Sequence, residues 1–183
     1  MVTQIELDEY KSYLKDCAKD YDTRMIGAHD ELRMSVLMSV MFEYTKDIVR
    51  IYCHNFNEGM ITNQPYWNAL RRFLSEGKSI RILCDTREAE NEVPIHLLRM
   101  EKELRSGADS ISVKVITNAD RIKILESVAE EHYKFSVFDE NKFVVQYTED
   151  ENKAFASFNR PEACKFLIKL FDKAFTNSKE VIV

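Results

Sequence analysis

The chain has 183 residues, 45% of them hydrophobic and 31% charged, an ordinary balance for one soluble globular domain with a sizeable core. Its net charge of −5 and pI near 5.5 argue against a protein that coats nucleic acid through a basic surface, while leaving a local basic groove open. No apolar run approaches membrane-spanning length and the N-terminus MVTQIELDEYKSYLKD has no apolar signal core, so no membrane contact is expected.

Cys17, Cys53, Cys84 and Cys164 are widely scattered with no C-x-x-C pair, which points to a reduced, cytosolic protein. Cys53 and Cys84 fall in apolar strand-like runs and read as small core residues.

In chain order, Glu6 to Tyr21 reads as a surface helix with Leu7, Tyr10, Leu14 and Cys17 at helical spacing. In GAHDELRMSVLMSVMFEYTKD, Leu32, Val36, Leu37, Val40, Met41 and Tyr44 form one stripe, and Met34 and Met38 widen it. So broad an apolar surface suggests a helix covered on more than one side, by a sheet, with a docked partner as one further candidate for the cover. IVRIYCHNF is a strand of β-branched and aromatic residues, NEGMITNQP a loop, and YWNALRRFLSEGK a helix that stops at Gly77. SIRILCD is a second strand, VPIHLLRMEKELRSG a helix, ISVKVIT a third strand and ADRIKILESVAEE a short helix. Strand–helix–strand spacing of this kind implies parallel pairing through right-handed crossovers.

After Glu131 the pattern changes. KFSVFD, FVVQY and AFASFN are short strands of an antiparallel meander, and RPEACKFLIKLFDKAF closes the chain as a helix with Pro161 and Glu162 in its first turn. The expected fold is α/β: a single mixed β-sheet flanked by helices.

At the switch between the two patterns stands HYKFSVFDE, with His132, Lys134 and Asp139 at the spacing H-x-K-x-x-x-x-D. On an extended chain His132 and Lys134 point to one face, and Asp139 opens a turn. A histidine beside a lysine can hold a phosphate, one ring nitrogen attacking while the ammonium neutralises charge. A half-buried strand with a polar start and an Asp-Glu-Asn turn would give the same letters.

That order of elements around H-x-K-x-x-x-x-D resembles the phospholipase D superfamily over roughly Ala28 to Phe175, and most of all its small stand-alone bacterial domains. The resemblance implies one domain over 1–183, with a helical extension at 1–27, a core at 28–175 and a tail at 176–183. In active members the histidine attacks phosphorus, the lysine binds phosphate oxygens, two motifs face each other, and neither metal nor cofactor is needed. Carried over, His132 is the nucleophile or acid, Lys134 the phosphate clamp and Asp139 an orienting group. Because the chain holds one motif, a complete site implies a homodimer with two His132 side chains meeting at its axis. The sequence departs from the family after the aspartate. Where the family continues with G-S-x-N, this chain has QYTE, Gln146 to Glu149, and a serine and asparagine arrive ten residues later as Ser157 and Asn159.

Further basic residues, Arg71, Arg72, Lys78 and Arg81, and then Lys114, Arg121, Lys123 and Lys134, would bind a polyanion if they lined one groove. Ser157, Asn159, Arg81 and Lys114 are the expected ligand-binding residues. Tyr66, Trp67, Phe56 and Tyr133 are candidates for base stacking. Cys53-His54 and Cys84-Asp85 end two strands on one edge, but no ligand pair has zinc spacing, so no metal site is expected. His29 reads as a surface or capping residue and His96 as a packed one. Two functions remain in view: a catalytically degenerate binding or regulatory module around nucleic-acid processing or defence, and a homodimeric metal-independent nuclease or phosphodiesterase. A nucleic acid or a protein are the partners these readings name.

Overall fold

The computed structural model describes residues 2–53, 63–84, 110–128, 134–146 and 153–180. The expected helix over VPIHLLRMEKELRSG, and His54, Phe56, Asp85, His96, His132 and Tyr133, lie outside the described residues. The described helices are α1 (Gln4–Lys19), α2 (Glu31–Glu43), α3 (Gln64–Ser75), α4 (Asn118–Val128) and α5 (Pro161–Asn177). The strands are β1 (Ile26–Ala28), β2 (Ile48–Cys53), β3 (Ser79–Cys84), β4 (Ile111–Val115), β5 (Lys134–Phe138), β6 (Lys142–Gln146), β7 (Ala154–Ser157) and β8 (Lys179–Glu180).

Local chemistry fixes the helix starts. Thr3 and Glu6 form a reciprocal capping box at α1, and the Asp30 carboxylate accepts the Arg33 N–H at 2.8 Å at the start of α2. Pro65 and Pro161 occupy first-turn positions of α3 and α5, where a missing N–H costs nothing. Past the end of α3, Gly77 turns the chain with φ of 77°, a left-handed conformation that suits glycine.

The strands form one mixed sheet in the order β1-β7-β6-β5-β2-β3-β4-β8. β2, β3 and β4 are parallel, whereas β5 pairs antiparallel with β2 and starts the meander β5-β6-β7. Parallel strands buried on both faces need helices on both, and the core divides accordingly. Val49, Ile51, Cys53, Ile80, Ile82, Cys84 and Phe138 face α1, α2 and α3. Tyr52, Leu83, Phe135, Val137, Phe143 and Val145 face α4 and α5. Phe42 is the hub of the first layer, with edge-on ring contacts to Tyr66, Phe73 and Phe138 at 5.2–5.7 Å.

Several expectations change. Every residue of α2 from Met34 to Phe42 is buried, because α1, α3 and the sheet enclose the helix. The chain itself supplies the cover, and the methionines have no surface left for a docked partner. Leu32, by contrast, is 41% exposed. The segment expected as an N-terminal extension belongs to the core: Leu14 and Cys17 are buried and β1 pairs with β7. β8, in the expected tail, pairs with β4.

Candidate functional site

The geometry around Lys134 follows from strand register. Tyr52 pairs with Phe135, so the next residue of β2, Cys53, lies across from Lys134 at the edge where β2 ends and β5 begins. On the other side Lys134 pairs with Gln146 of β6. Cys53 pairs with Cys84, and Cys84 with Val115. One row of side chains therefore crosses five strands, Gln146-Lys134-Cys53-Cys84-Val115. Alternation puts all five on the sheet face that carries α1 to α3. The parallel strands end at this edge and an antiparallel strand starts beside them. Open α/β sheets bind ligands outside the carboxyl ends of their strands, where the connectivity switches direction.

Asp139 is at the other end. Five residues separate it from Lys134 along the strand, about 17 Å at strand rise. Its φ is 54°, a conformation aspartate tolerates better than most residues. The carboxylate accepts the backbone N–H groups of Lys46 at 2.9 Å, Asp47 at 3.0 Å and Ile48 at 3.3 Å, and the Lys142 ammonium at 3.2 Å. Burial pushes this carboxyl up, but the Lys46 and Asp47 N–H groups, the Lys142 ammonium and the Ile48 N–H together hold it below the usual carboxylate value. A cavity of about 410 Å³ opens beside it, lined by Tyr21, Tyr44, Lys46, Arg50 and Lys142 among others. Asp139 thus clasps the start of β2 and is too far from Lys134 to orient groups around it.

Ser157 and Asn159 belong to that far end too. Ser157 is fully buried and pairs with Phe143, three residues from Gln146 or about 10 Å along β6, on the α4–α5 face. Asn159 donates through Nδ2 to the Tyr21 carbonyl at 3.0 Å. A phosphate at Lys134 is beyond the reach of both, so they do not replace the missing serine and asparagine. The residue directly beside Lys134 is Gln146.

Arg81 and Lys114 are brought together, but on the opposite sheet face from Lys134. The Arg81 guanidinium lies 5.7 Å and the Lys114 ammonium 4.6 Å from the centre of the Phe175 ring. Arg50 Nε donates to Asp172 Oδ1 at 3.0 Å, and Arg81 Nη1 stands 4.0 Å from the same oxygen. The sheet separates this group from Lys134, so the expected single basic groove splits in two. Tyr66 is buried and Trp67 packs against the core, which leaves neither as an open stacking surface. His29 is exposed and Asp30, not His29, caps α2. Among the described residues no cluster of three or more metal-ligating side chains occurs, and no helix is long and apolar enough to cross a membrane.

The sequence matches no family model and no curated protein. Solved structures do match. The Salmonella typhimurium Nuc protein, a phospholipase D family member, superposes with a TM-score of 0.60 at 14% identity, over 88% of this chain and 99% of its own. The chain has the phospholipase D-like fold. Haemophilus influenzae phosphatidylserine synthase matches with a TM-score of 0.56 at 11% identity, over 87% of this chain and 39% of its own. TrmBL2, an archaeal chromatin protein with a described mode of DNA binding, matches with a TM-score of 0.59 at 9% identity, over 97% of this chain and 64% of its own. At these identities the likeness is one of fold, and the motif has to be argued from its own residues.

Sequence spacing put Lys134 at the start of a strand, which is where β5 begins. It missed Gln146 as the neighbour of Lys134, although that pairing follows from a three-residue turn, 139–141, between β5 and β6. It put Cys53 and Cys84 at one strand edge but missed that they pair in register, for which equal distance from the starts of two parallel strands was the available signal.

Proposed function

We propose that this phospholipase D-like domain is a phosphodiester-binding module for nucleic acid, with Lys134 as its phosphate contact and His132 as the neighbouring polar group. The observation that carries this reading is the pairing of Lys134 with Gln146. The lysine that the resemblance makes a phosphate clamp is present, while a long amide side chain stands where the resemblance calls for small and hydroxyl-bearing residues. An ammonium at the carboxyl edge of the sheet binds phosphate as a point charge. Nucleic acid is taken as the diester because a chromatin protein whose structure shows DNA binding stands among the structures of like fold, beside a phosphatidylserine synthase. With a net charge of −5, binding through a few local cations will be weak and strongly salt-dependent.

A second reading rests on one specific feature, the intact H-x-K spacing of His132 and Lys134. In it the chain is a metal-independent phosphodiesterase. His132 attacks phosphorus, a covalent phosphohistidine forms as the leaving oxygen departs, and the His132 of a second copy across a two-fold axis protonates that oxygen.

One experiment separates them. Labelled single-stranded DNA, duplex DNA and RNA are titrated with the protein in EDTA at several salt concentrations, and the same samples are run on a denaturing gel. Wild type, Lys134→Ala and His132→Ala run in parallel, each checked for folding by circular dichroism. Binding that weakens in Lys134→Ala, with substrate left intact throughout, supports the module. Cleavage in EDTA that His132→Ala abolishes makes it an enzyme. No binding and no cleavage at low salt would sink both.

A further inference from the structure

Cys53 and Cys84 are the last residues of two adjacent parallel strands, paired in register and both buried. They belong to the same core layer, so their side chains project from one face of the sheet. We propose that this pair is a thiol-modification site that converts reversibly to an intramolecular disulfide between β2 and β3. The inference concerns these two sulfurs alone and stands whether or not the edge binds nucleic acid.

Neighbouring strands lie about 4.8 Å apart, which sets the distance between in-register Cα atoms. Disulfides span Cα separations of about 4.4–6.8 Å, so the strands need not part or slide for the bond to form. The Cβ atoms of parallel neighbours stay near the strand spacing, roughly an ångström more than the mean of about 3.8 Å in relaxed disulfides. Closing that gap strains the linkage, and strained disulfides are the ones readily reduced. The pair is therefore built for exchange rather than for permanent cross-linking.

Its surroundings separate it from the other two cysteines. Register puts Lys134 across from Cys53, on the same face. Cys164, under α5, is pushed up to about 12 by burial, and burial also raises Cys17. Those two lie in different core layers, so neither has a partner cysteine in register as Cys53 and Cys84 have.

The oxidant is a low-molecular-weight disulfide such as oxidised glutathione. The Cys53 thiolate attacks one sulfur of the reagent, breaking its S–S bond and releasing one thiol. The Cys84 sulfur then attacks Cys53 in the mixed disulfide and expels the second thiol. Two electrons pass from the cysteine pair to the reagent, and the two cysteine protons end on the two released thiols.

The full-length protein is incubated with oxidised glutathione, quenched in acid, and digested with trypsin for mass spectrometry. Cleavage after Arg50, Arg71, Arg81 and Arg87 places Cys53 in peptide 51–71 and Cys84 in peptide 82–87. The expected product is these two peptides joined with loss of two hydrogens, and a thiol count under denaturant that falls from four to two. Reduction with dithiothreitol should restore four. The wild-type linkage map needs no variant to fold. Cys84→Ser adds a second reading, in which a glutathione adduct accumulates on Cys53. Four thiols surviving the oxidant, a linkage through Cys17 or Cys164, or separate stable adducts on Cys53 and Cys84 in the wild type would each overturn the proposal.

Discussion

Replacing Asp139 with alanine removes one carboxylate and leaves four donors to find other acceptors. The N–H groups of Lys46 and Asp47 are exposed and turn to water, at little cost. The Ile48 N–H is part-buried, and losing its acceptor costs about 1 kcal/mol. The Lys142 side chain is 8% exposed and keeps only the Asn141 Oδ1 contact at 3.1 Å, so losing its charged partner costs about 2 kcal/mol. Alanine at φ 54° adds about 1 kcal/mol of backbone strain. Asp139→Ala should therefore destabilise the fold by about 4 kcal/mol. Asp139→Asn tolerates the backbone and keeps one acceptor oxygen, so it should cost about half as much. Urea unfolding, followed by circular dichroism with the slope checked for constancy, measures both. A loss below about 1 kcal/mol for Asp139→Ala would refute the clasp, and equal losses for the two variants would refute the split between backbone and charge.

The same carboxylate gives the sign of an acid dependence. Its folded pKa lies below the ordinary value of 3.8, so it adds stability that is fully present above that value and is lost as pH falls through the folded pKa. The gap in stability between wild type and Asp139→Asn should stay constant above about pH 5 and close as the carboxyl takes up its proton in acid. A gap that widens in acid would mean the carboxyl is raised, not lowered.

Three shorter predictions cover the core, the turn and the edge. Phe42→Ala, at the centre of three ring contacts and 1% exposed, should cost about 3–5 kcal/mol in the same unfolding assay. Gly77→Ala meets nothing within 4 Å of the added carbon, so its cost should be the left-handed backbone alone, about 1 kcal/mol. Lys134→Ala should weaken nucleic-acid binding uniformly across sequences and lower the salt slope by about one, with stability unchanged, whereas Arg81→Ala should leave both the slope and a labelled strand's affinity as they were.

What the sequence made legible follows from period and length. α1, α2, α3 and α5 and the strands of five or six residues are long enough for a 3.6- or 2-residue period to register. β1 and β8 have three and two residues and contain no period at all; their pairing partners hold them in place. The apolar surface of α2 was plain, but sequence does not distinguish a partner from the chain's own α1 and α3 as its cover. Arg81 and Lys114 failed as companions of Lys134 for a related reason. Parallel strands buried on both faces have apolar residues in both phases, so the sequence gives each strand's alternation without saying which phase of one strand matches which phase of the next. The structure sets Arg81 opposite Arg50 and Lys134 opposite Cys53, one residue apart in phase.

That phase relation gives the lysine-to-aspartate spacing a physical meaning that neither residue has alone. Asp139 N–H donates to the Ile48 carbonyl at 2.9 Å while its carboxylate collects the N–H groups of residues 46–48, so the end of β5 is fastened to the start of β2 at one register. Counting back five residues along the strand then fixes Lys134 across from Cys53 and on the α1–α3 face. A slip of one residue would turn every side chain of β5 over, burying Lys134 under α5 and sending Phe135 and Val137 to the other layer. The aspartate thus acts on the edge through strand register, at about 17 Å, without touching a ligand there. An aspartate in this position is compatible with an active site and equally with a binding module, because both need the lysine on the same face. On the proposed reading the residue that distinguishes them is the lysine's lateral neighbour, and in this chain that neighbour is Gln146.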